Sequence, residues 1–276
     1  LWVIRHLVEP FERVAKTRLP QAGSAHRMLL EEPVSGDQYN LDGYVYDGEV
    51  RALGVVRAVM YPGTQAFMRF VYPGGLADGI SAAALDVARR FLTAVGFKHG
   101  LFNMEFFHDP ASGRITVIEF NPRMASQFSD LYLRVDGVDL HRVALELAHG
   151  GDPARLPRTQ PTAGAAASFV YRSFDPDARP PMPGRGGRAA LNARFPDAML
   201  FEFPKTPGQI ARDFKWLGSY RYGILHLGGS DLEHLGARCQ AASQLLGWPA
   251  TCAGGVDLSA SAQDWAAESL ALEIPK

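Results

Sequence analysis

The chain has 276 residues, of which 47% are hydrophobic and 21% are charged. This length and composition exclude an intrinsically disordered protein and suffice for one large domain or two ordinary ones. Because the formal net charge is −1, no net basic field is available for a nucleic-acid backbone or an anionic membrane, so an anionic ligand must be held by a local cluster of charges.

The cysteine content and the apolar runs indicate a reducing, intracellular setting. The two cysteines, Cys239 and Cys252, cannot form a disulfide framework or a four-ligand zinc site. The apolar runs stop well before the roughly 18 residues that a membrane span needs, and the start of the chain carries charges where a signal peptide would be apolar. We therefore expect a cytoplasmic protein with no membrane partner. Since the chain begins at Leu1, inside an apolar run and without a methionine, we also expect that a preceding segment is missing.

The first predicted elements are short. Residues 1–5 and 27–30 are apolar enough for buried strands, and residues 8–18 have the spacing of a short helix. The segment that follows contains Pro33 and Gly36, which prevent regular structure and predict a bend or hinge.

A β-hairpin is the clearest local prediction. The pair Asp47-Gly48 separates two strand-like stretches, 39–46 and 49–57, and this dipeptide is typical of a tight two-residue turn. If paired residues have numbers that add to 95, Gln38 lies opposite Arg57.

Two further helices are predicted before residue 150. Residues 81–95 place apolar side chains on one face, with Ser81 or Asp78 as the N-cap and Gly96 as the stop. A second helix is expected to begin after Asp139 and to reach Ala148.

Residues 151–162 are polar and rich in proline, which makes them the best candidate for a linker between domains. We expect an α+β domain over 1–150 and a smaller α+β domain over 163–276, whose Ala- and Ser-rich end is a flexible tail. In the second domain we predict strands at 164–174, 199–203 and 221–228 and a loop at 176–187. A helix is predicted from Ser230 to Leu246, because Ser230 and Glu233 have the spacing of a capping box.

The hairpin expected over residues 100–120 brings acidic side chains together. If its strands fold about Ser112, paired residues have numbers that add to 224, so Glu105 faces Glu119 and Asn103 faces Asn121. Strand alternation places these four groups on one face. On the other face it places Met104, Phe106, Ile118 and Phe120.

Opposed carboxylates separated by about 4.5–5.5 Å at Cβ repel each other unless a cation lies between them. Glutamate and amide oxygens are hard ligands that suit Mg²⁺ or Mn²⁺ rather than zinc. The alternative is the solvated face of an ordinary hairpin, on which water screens the two charges. The residues that follow favour a site, because Pro122 ends the strand and Arg123 brings a planar, permanently charged group within reach of a metal-bound phosphate.

These residues resemble a known family. Glu105 and the run from Glu119 to Arg123, Glu119-Phe120-Asn121-Pro122-Arg123, are similar to the metal-binding signature of the ATP-grasp superfamily. Residues 29–43, LLEEPVSGDQYNLDG, are similar to its adenine-hinge segment and the following strand, and are closest to the carboxylate–amine ligase branch that includes the L-amino-acid ligases. The resemblance covers about residues 1–150 and implies an α+β ATP-grasp fold, an antiparallel sheet with flanking helices. Residues 163–250 resemble the C-terminal domain of such ligases more loosely.

The resemblance also implies a set of ligands. The hinge would hold the adenine edge of ATP through Glu31, Glu32 and Val34. Gln38 would bind the ribose, at a position where relatives usually have glutamate, and Met104 would also contact the nucleotide. Mg²⁺ or Mn²⁺ would be held by Glu105, Glu119 and Asn121, and Arg123 would stabilise an acyl phosphate. The partners implied are small-molecule carboxylate and amine substrates and no nucleic acid, with a homodimer allowed.

The family also uses an earlier lysine and a glycine-rich loop that covers the phosphates, and neither is found before the hinge. We therefore expect the chain to start inside the ATP-grasp domain. Two alternatives to a carbon–nitrogen ligase stay open. One is a biotin-carboxylase-like subunit, whose signature also contains Glu-x-Asn-x-Arg, and the other is a non-catalytic binding module.

Overall fold

The structure is a computed structural model that describes residues 32–251. The chain divides into two units, Leu1–Val34 and Ser35–Lys276. The first unit is described only from Glu32 onward, where it has no regular secondary structure. The strands expected at 1–5 and 27–30, the helix expected at 8–18, the hinge residue Glu31 and the C-terminal tail lie outside the described residues.

The described part of the second unit contains one antiparallel sheet of eight strands in the order β5-β4-β1-β2-β3-β6-β8-β7. The strands are β1 (Asp37–Tyr46), β2 (Glu49–Met60), β3 (Phe67–Tyr72), β4 (Gly100–His108), β5 (Ile115–Asn121), β6 (Ala165–Ser173), β7 (Met199–Glu202) and β8 (Tyr220–Gly229). The helices are α1 (Asp78–Ala94), α2 (Ser129–Asp136), α3 (Leu140–Ala148), α4 (Arg185–Arg194), α5 (Pro207–Leu217) and α6 (Leu232–Leu246). Short 3-10 turns cover Ser126–Phe128 and Pro153–Arg155. This α+β architecture, a sheet with flanking helices, agrees with the expected fold.

The first hairpin forms at the expected turn but with a shifted register. Asp47 and Gly48 both have positive φ, 50° and 83°, as a type I′ turn requires. A bulge between Asp42 and Gly43 then changes the pairing, so Gln38 lies opposite Ala58 and the predicted Gln38–Arg57 pair is wrong. A bulge adds one residue to one strand, which a fixed sum of residue numbers does not anticipate.

The second hairpin has the predicted pairs at its site end. Glu105 lies opposite Glu119, and Asn103 lies opposite Asn121. A bulge beyond Glu105 pairs Phe106 with Val117. Ile118 is therefore an extra residue, 44% exposed, and its predicted place on the apolar face is wrong.

Of the three helix N-caps predicted from the sequence, one is confirmed and two are wrong. The N-cap of α1 is Ala77, which makes no side-chain cap hydrogen bond, so neither Ser81 nor Asp78 is the cap. Asp139 caps α3 as predicted, because its carboxylate accepts hydrogen bonds from the backbone at the start of that helix. In α6 the cap is Asp231 rather than Ser230.

Three helices were not predicted, namely α2, α4 and α5. Each has at most 11 residues, which gives little periodic signal. Helix α5 does carry a complete local signature that the sequence interpretation missed. Thr206 and Gln209 form a capping box, and Pro207 follows the cap.

The two faces of the sheet are covered by different helices. On one face, Leu41 and Met104 pack with Ala88 of α1 in an apolar core. On the other face, Tyr72 of β3 packs with Tyr132 of α2. Side chains therefore face α1 or α2 according to the period-two alternation of their strand.

The sheet continues across residues 151–162, because β3 pairs with β6 from Arg69↔Phe169 to Tyr72↔Ala166. The strands before and after this segment thus belong to one hydrogen-bonded sheet. A separate domain after residue 162 stays a prediction about domain organisation.

Candidate functional site

Polar side chains occupy one face of β1, β4 and β5, a region we call the carboxylate patch. Its members are Gln38, Asn40 and Asp42 of β1, Asn103 and Glu105 of β4, and Glu119 and Asn121 of β5. Asn40 lies opposite Glu105, which in turn lies opposite Glu119. Antiparallel pairing across three strands therefore gathers these side chains from sequence positions up to 83 residues apart (121 − 38 = 83).

Glu105 is the electrostatic centre of the carboxylate patch. Burial is the main cause that raises its pKa, and the charge of Glu119 raises it further. Arg123 and a hydrogen bond from the amide Nε2 of Gln38 to Oε2 of Glu105, 3.0 Å long, act in the opposite direction. A cation between the two carboxylates would remove this repulsion.

Asn121 connects the exposed Glu119 to Arg123. Its Nδ2 donates to Oε1 of Glu119 at 2.8 Å, and its Oδ1 accepts from Nη2 of Arg123 at 3.2 Å. Nη1 of Arg123 also donates to the carbonyl of Met124 at 3.3 Å. The guanidinium is exposed, so it can reach a ligand over the carboxylate patch.

The donor set of the carboxylate patch fits a magnesium or manganese ion. Among residues 32–251 there is no group of three or more His, Cys, Asp or Glu side chains that could hold a metal ion. Protein ligands would therefore be the two carboxylates Glu105 and Glu119 with the amide of Asn121. Magnesium is commonly held by one or two carboxylates together with substrate phosphates, so a small all-oxygen set of this kind suits it.

The structure adds Asp42, which the sequence interpretation did not select. Burial raises its pKa to about 7, although hydrogen bonds from Tyr132 and Asn103 lower it. The Tyr132 hydroxyl donates to Oδ2 at 2.8 Å, and Nδ2 of Asn103 donates to Oδ1 at 3.0 Å. Nearby, Nδ2 of Asn40 is buried with no hydrogen-bond partner among the described residues. The alternation of Gln38, Asn40 and Asp42 along β1 was the available signal.

One predicted nucleotide contact lies on the other face of the sheet. Met104 is fully buried on the opposite face of β4, packed towards α1, so the structure does not bring it to the carboxylate patch. Glu32 and Val34 lie in the first unit, where both are exposed. Their roles, with that of Glu31, stay predictions.

Within residues 32–251 no helix combines the length and the apolar character that crossing a membrane requires.

Part of the chain matches a known family model. Residues 3–130 match the family model described as "ATP-grasp domain". Carnosine synthase 1 of Gallus gallus is 31% identical over 157 residues, which are 55% of this chain and 16% of that protein. The chain thus spans a small part of this curated relative.

Solved structures show the same fold at low identity. An L-amino acid ligase from Bacillus licheniformis superposes with a TM-score of 0.58 and 14% identity, over 77% of this chain and 53% of that one. A biotin carboxylase complex from Campylobacter jejuni superposes with a TM-score of 0.55 and 16% identity, over 85% of this chain and 50% of that one.

Proposed function

Because residues 3–130 match the ATP-grasp domain model, we propose that the chain belongs to an ATP-dependent ligase that joins a carboxylate to an amine through an acyl phosphate. The identity to carnosine synthase 1 and the structural similarity to an L-amino acid ligase support the carboxylate–amine ligase branch. The proposed substrates are small molecules, and the proposed location is the cytoplasm.

The observation that carries the proposal is the pair Glu105 and Glu119, which lie directly opposite each other with a raised pKa at Glu105. Two carboxylates and an amide at this spacing suit a magnesium ion that also contacts phosphates. When bound, the ion would neutralise phosphate charge and orient the phosphate groups of ATP.

In the proposed reaction, a carboxylate oxygen of the acid forms a bond to the γ-phosphorus of ATP, and the bond from that phosphorus to the β,γ-bridging oxygen breaks, releasing ADP. The amine nitrogen then attacks the carbonyl carbon, and phosphate leaves as the amide forms and the nitrogen loses a proton. Arg123, oriented by Asn121, would hold the acyl phosphate through charge-assisted hydrogen bonds.

Residues of β1 and of the hinge would bind the nucleotide. Gln38 would bind the ribose hydroxyls, and the hinge from Glu31 to Val34 would bind the adenine edge. The Gln38 amide donates to Glu105, so its remaining hydrogen-bonding capacity is its carbonyl oxygen and one N–H.

The test is a Glu119→Gln variant of the full-length protein, assayed for ATP-dependent phosphate release with pairs of common amino acids as acid and amine. We expect loss of turnover with an unchanged circular dichroism spectrum, because the amide keeps the shape and removes the charge. The matched control is Glu49→Gln, which changes an exposed glutamate at the first hairpin. Full turnover in Glu119→Gln contradicts the metal assignment, and turnover that requires biotin and bicarbonate favours a carboxylase instead.

A further inference from the structure

Two arginines face each other at the far side of the sheet from the carboxylate patch. Arg172 of β6 lies directly opposite Arg221 of β8, next to a bulge that follows Tyr171. Both side chains are half-buried. Like charges directly opposite each other destabilise a sheet, so this pair calls for a physical explanation.

The hydrogen bonds of Arg172 hold it in place without pairing it to an acid. Its Nε donates to Oγ of Ser219 at 3.0 Å, and its Nη2 donates to the carbonyl of the same residue at 3.4 Å. These acceptors are neutral. The third nitrogen, Nη1, is directed to no acceptor among the described residues.

Arg221 lies over an aromatic ring. Its guanidinium carbon is 4.4 Å from the centroid of Phe203, a cation–π contact that fixes the plane of the group and leaves its edge donors available. Among residues 32–251, Arg221 makes no ion pair, and neither does Arg172. Asp213, whose charge acts on both arginines, is itself paired with Lys205 at 2.9 Å.

The electrostatics agree with this geometry. Burial lowers the pKa of both guanidinium groups, and the charge of Arg221 lowers that of Arg172 further. The charges are nevertheless permanent at any ordinary pH. The charge of Asp213 raises both pKa values, but by less than burial lowers them. Two partly desolvated cations without a directly paired acid cost free energy that a bound anion would recover.

Aromatic side chains also lie close to Arg172, whose charge acts on the Tyr61 hydroxyl. The Tyr61 hydroxyl donates to the carbonyl of Val170 at 2.8 Å, and its ring meets Phe174 edge-on at 5.0 Å. Burial raises the pKa of Tyr61 to about 12, so it stays neutral. Aromatic walls with a few convergent polar donors are typical of a small-ligand site.

We propose that Arg172 and Arg221 together bind an anionic oxygen group, a carboxylate or a phosphate, of a small molecule. The fork of Arg221 and the remaining Nη1 of Arg172 supply the donors, and Ser219 and Phe203 hold the two groups in position. This site lies on β6 and β8, whereas Arg123 follows β5, so it stands independently of the proposed ligase reaction.

The test is calorimetric titration of the protein with two probes, inorganic phosphate and acetate, at constant ionic strength. We expect saturable binding of at least one probe, and binding at least tenfold weaker in Arg172→Gln and in Arg221→Gln. Binding of phosphate alone identifies a phosphate group, and binding of acetate alone identifies a carboxylate. The matched control is Arg90→Gln, an exposed arginine on α1, which should bind as the wild type does.

If a glutamine variant does not fold, Arg221→Lys serves in its place, because it keeps the charge and removes the planar fork. We expect this variant to bind the same probe at least fivefold more weakly. Absence of saturable binding by the wild-type protein overturns the proposal, as does equal binding by the wild type and the arginine variants.

Discussion

The hydroxyl of Tyr132 donates a hydrogen bond to the carboxylate of Asp42, 2.8 Å away, and both side chains are buried. The two residues are 90 positions apart in the chain. This contact joins α2 to β1 at the Asp42 end of the carboxylate patch. The helix therefore helps to hold the carboxyl group, and through it the Asn103 amide, which donates to Oδ1 of Asp42 at 3.0 Å.

Replacing Tyr132 by phenylalanine is expected to lower the free energy of unfolding by about 1–3 kcal/mol, because it leaves a buried acceptor without its donor. Urea denaturation followed by circular dichroism measures the change. The matched control is Tyr46→Phe, which removes an exposed hydroxyl whose contact with the Gly150 carbonyl is 3.4 Å long. A loss in Tyr132→Phe no larger than in the control contradicts the importance of the buried contact.

The stability of the protein should depend on the ionisation of Asp42. Its pKa is raised to about 7 in the folded state from 3.8, so between these values the folded protein keeps a proton that the unfolded chain has lost. The free energy of unfolding therefore falls as the pH rises from about 4 to about 7, at up to about 1.4 kcal/mol per pH unit for one group.

Glu105, whose pKa is also raised, contributes with the same sign, so a variant is needed to isolate Asp42. Asp42→Asn keeps the side-chain shape and cannot ionise. We expect its stability relative to the wild type to rise between pH 4 and pH 7, as measured by urea denaturation at each pH. A difference that does not change with pH contradicts the assignment.

Magnesium should stabilise the folded protein through the carboxylate patch. We expect millimolar MgCl₂ to raise the melting temperature of the wild type above its value in NaCl of equal ionic strength, because the ion binds the folded state. Glu105→Gln should abolish this increase, since it removes one of the two carboxylate ligands. The exposed Glu49→Gln should respond as the wild type does, and an undiminished response in Glu105→Gln rules out this metal site.

Gly54 should tolerate no side chain. A Cβ at this position would lie 2.6 Å from the ring of Tyr72 and 2.8 Å from that of Tyr132. Gly54→Ala is therefore expected to destabilise the protein by about 1–3 kcal/mol through overpacking. Gly79→Ala, in the first turn of α1 with open space around it, should be neutral or stabilising by about 0.5–1 kcal/mol, and thermal or urea denaturation compares the two.

Local chemistry allowed much of the site to be predicted. The Asp47-Gly48 turn sets the first hairpin, and the pairs Glu105↔Glu119 and Asn103↔Asn121 follow from strand alternation on both sides of a short turn. These features depend on residues near each other in the chain, and local backbone preferences are sufficient to place them. The signature around Glu119 is recognisable for a different reason, namely its resemblance to that of a known family.

The bulges could not be predicted, because their cause lies in packing. The bulge in the first hairpin places Gly54 under the rings of Tyr72 and Tyr132, which come from β3 and α2. Local sequence patterns do not predict that aromatic side chains from distant segments will pack at this position. The wrong prediction of the Gln38–Arg57 pair follows from this bulge. The wrong prediction of the face that Ile118 occupies follows from the bulge in the second hairpin.

By itself, the sequence determined an α+β protein with two hairpins and a facing pair of glutamates, since turn residues and strand alternation act over a few positions. Only the tertiary structure decided that Asp42 is buried against Tyr132, that β3 pairs with β6, and that Arg172 faces Arg221. Each of these relationships joins segments that lie far apart in the chain. Their geometry is set by the packing of whole strands and helices, which residue preferences along the chain do not encode locally.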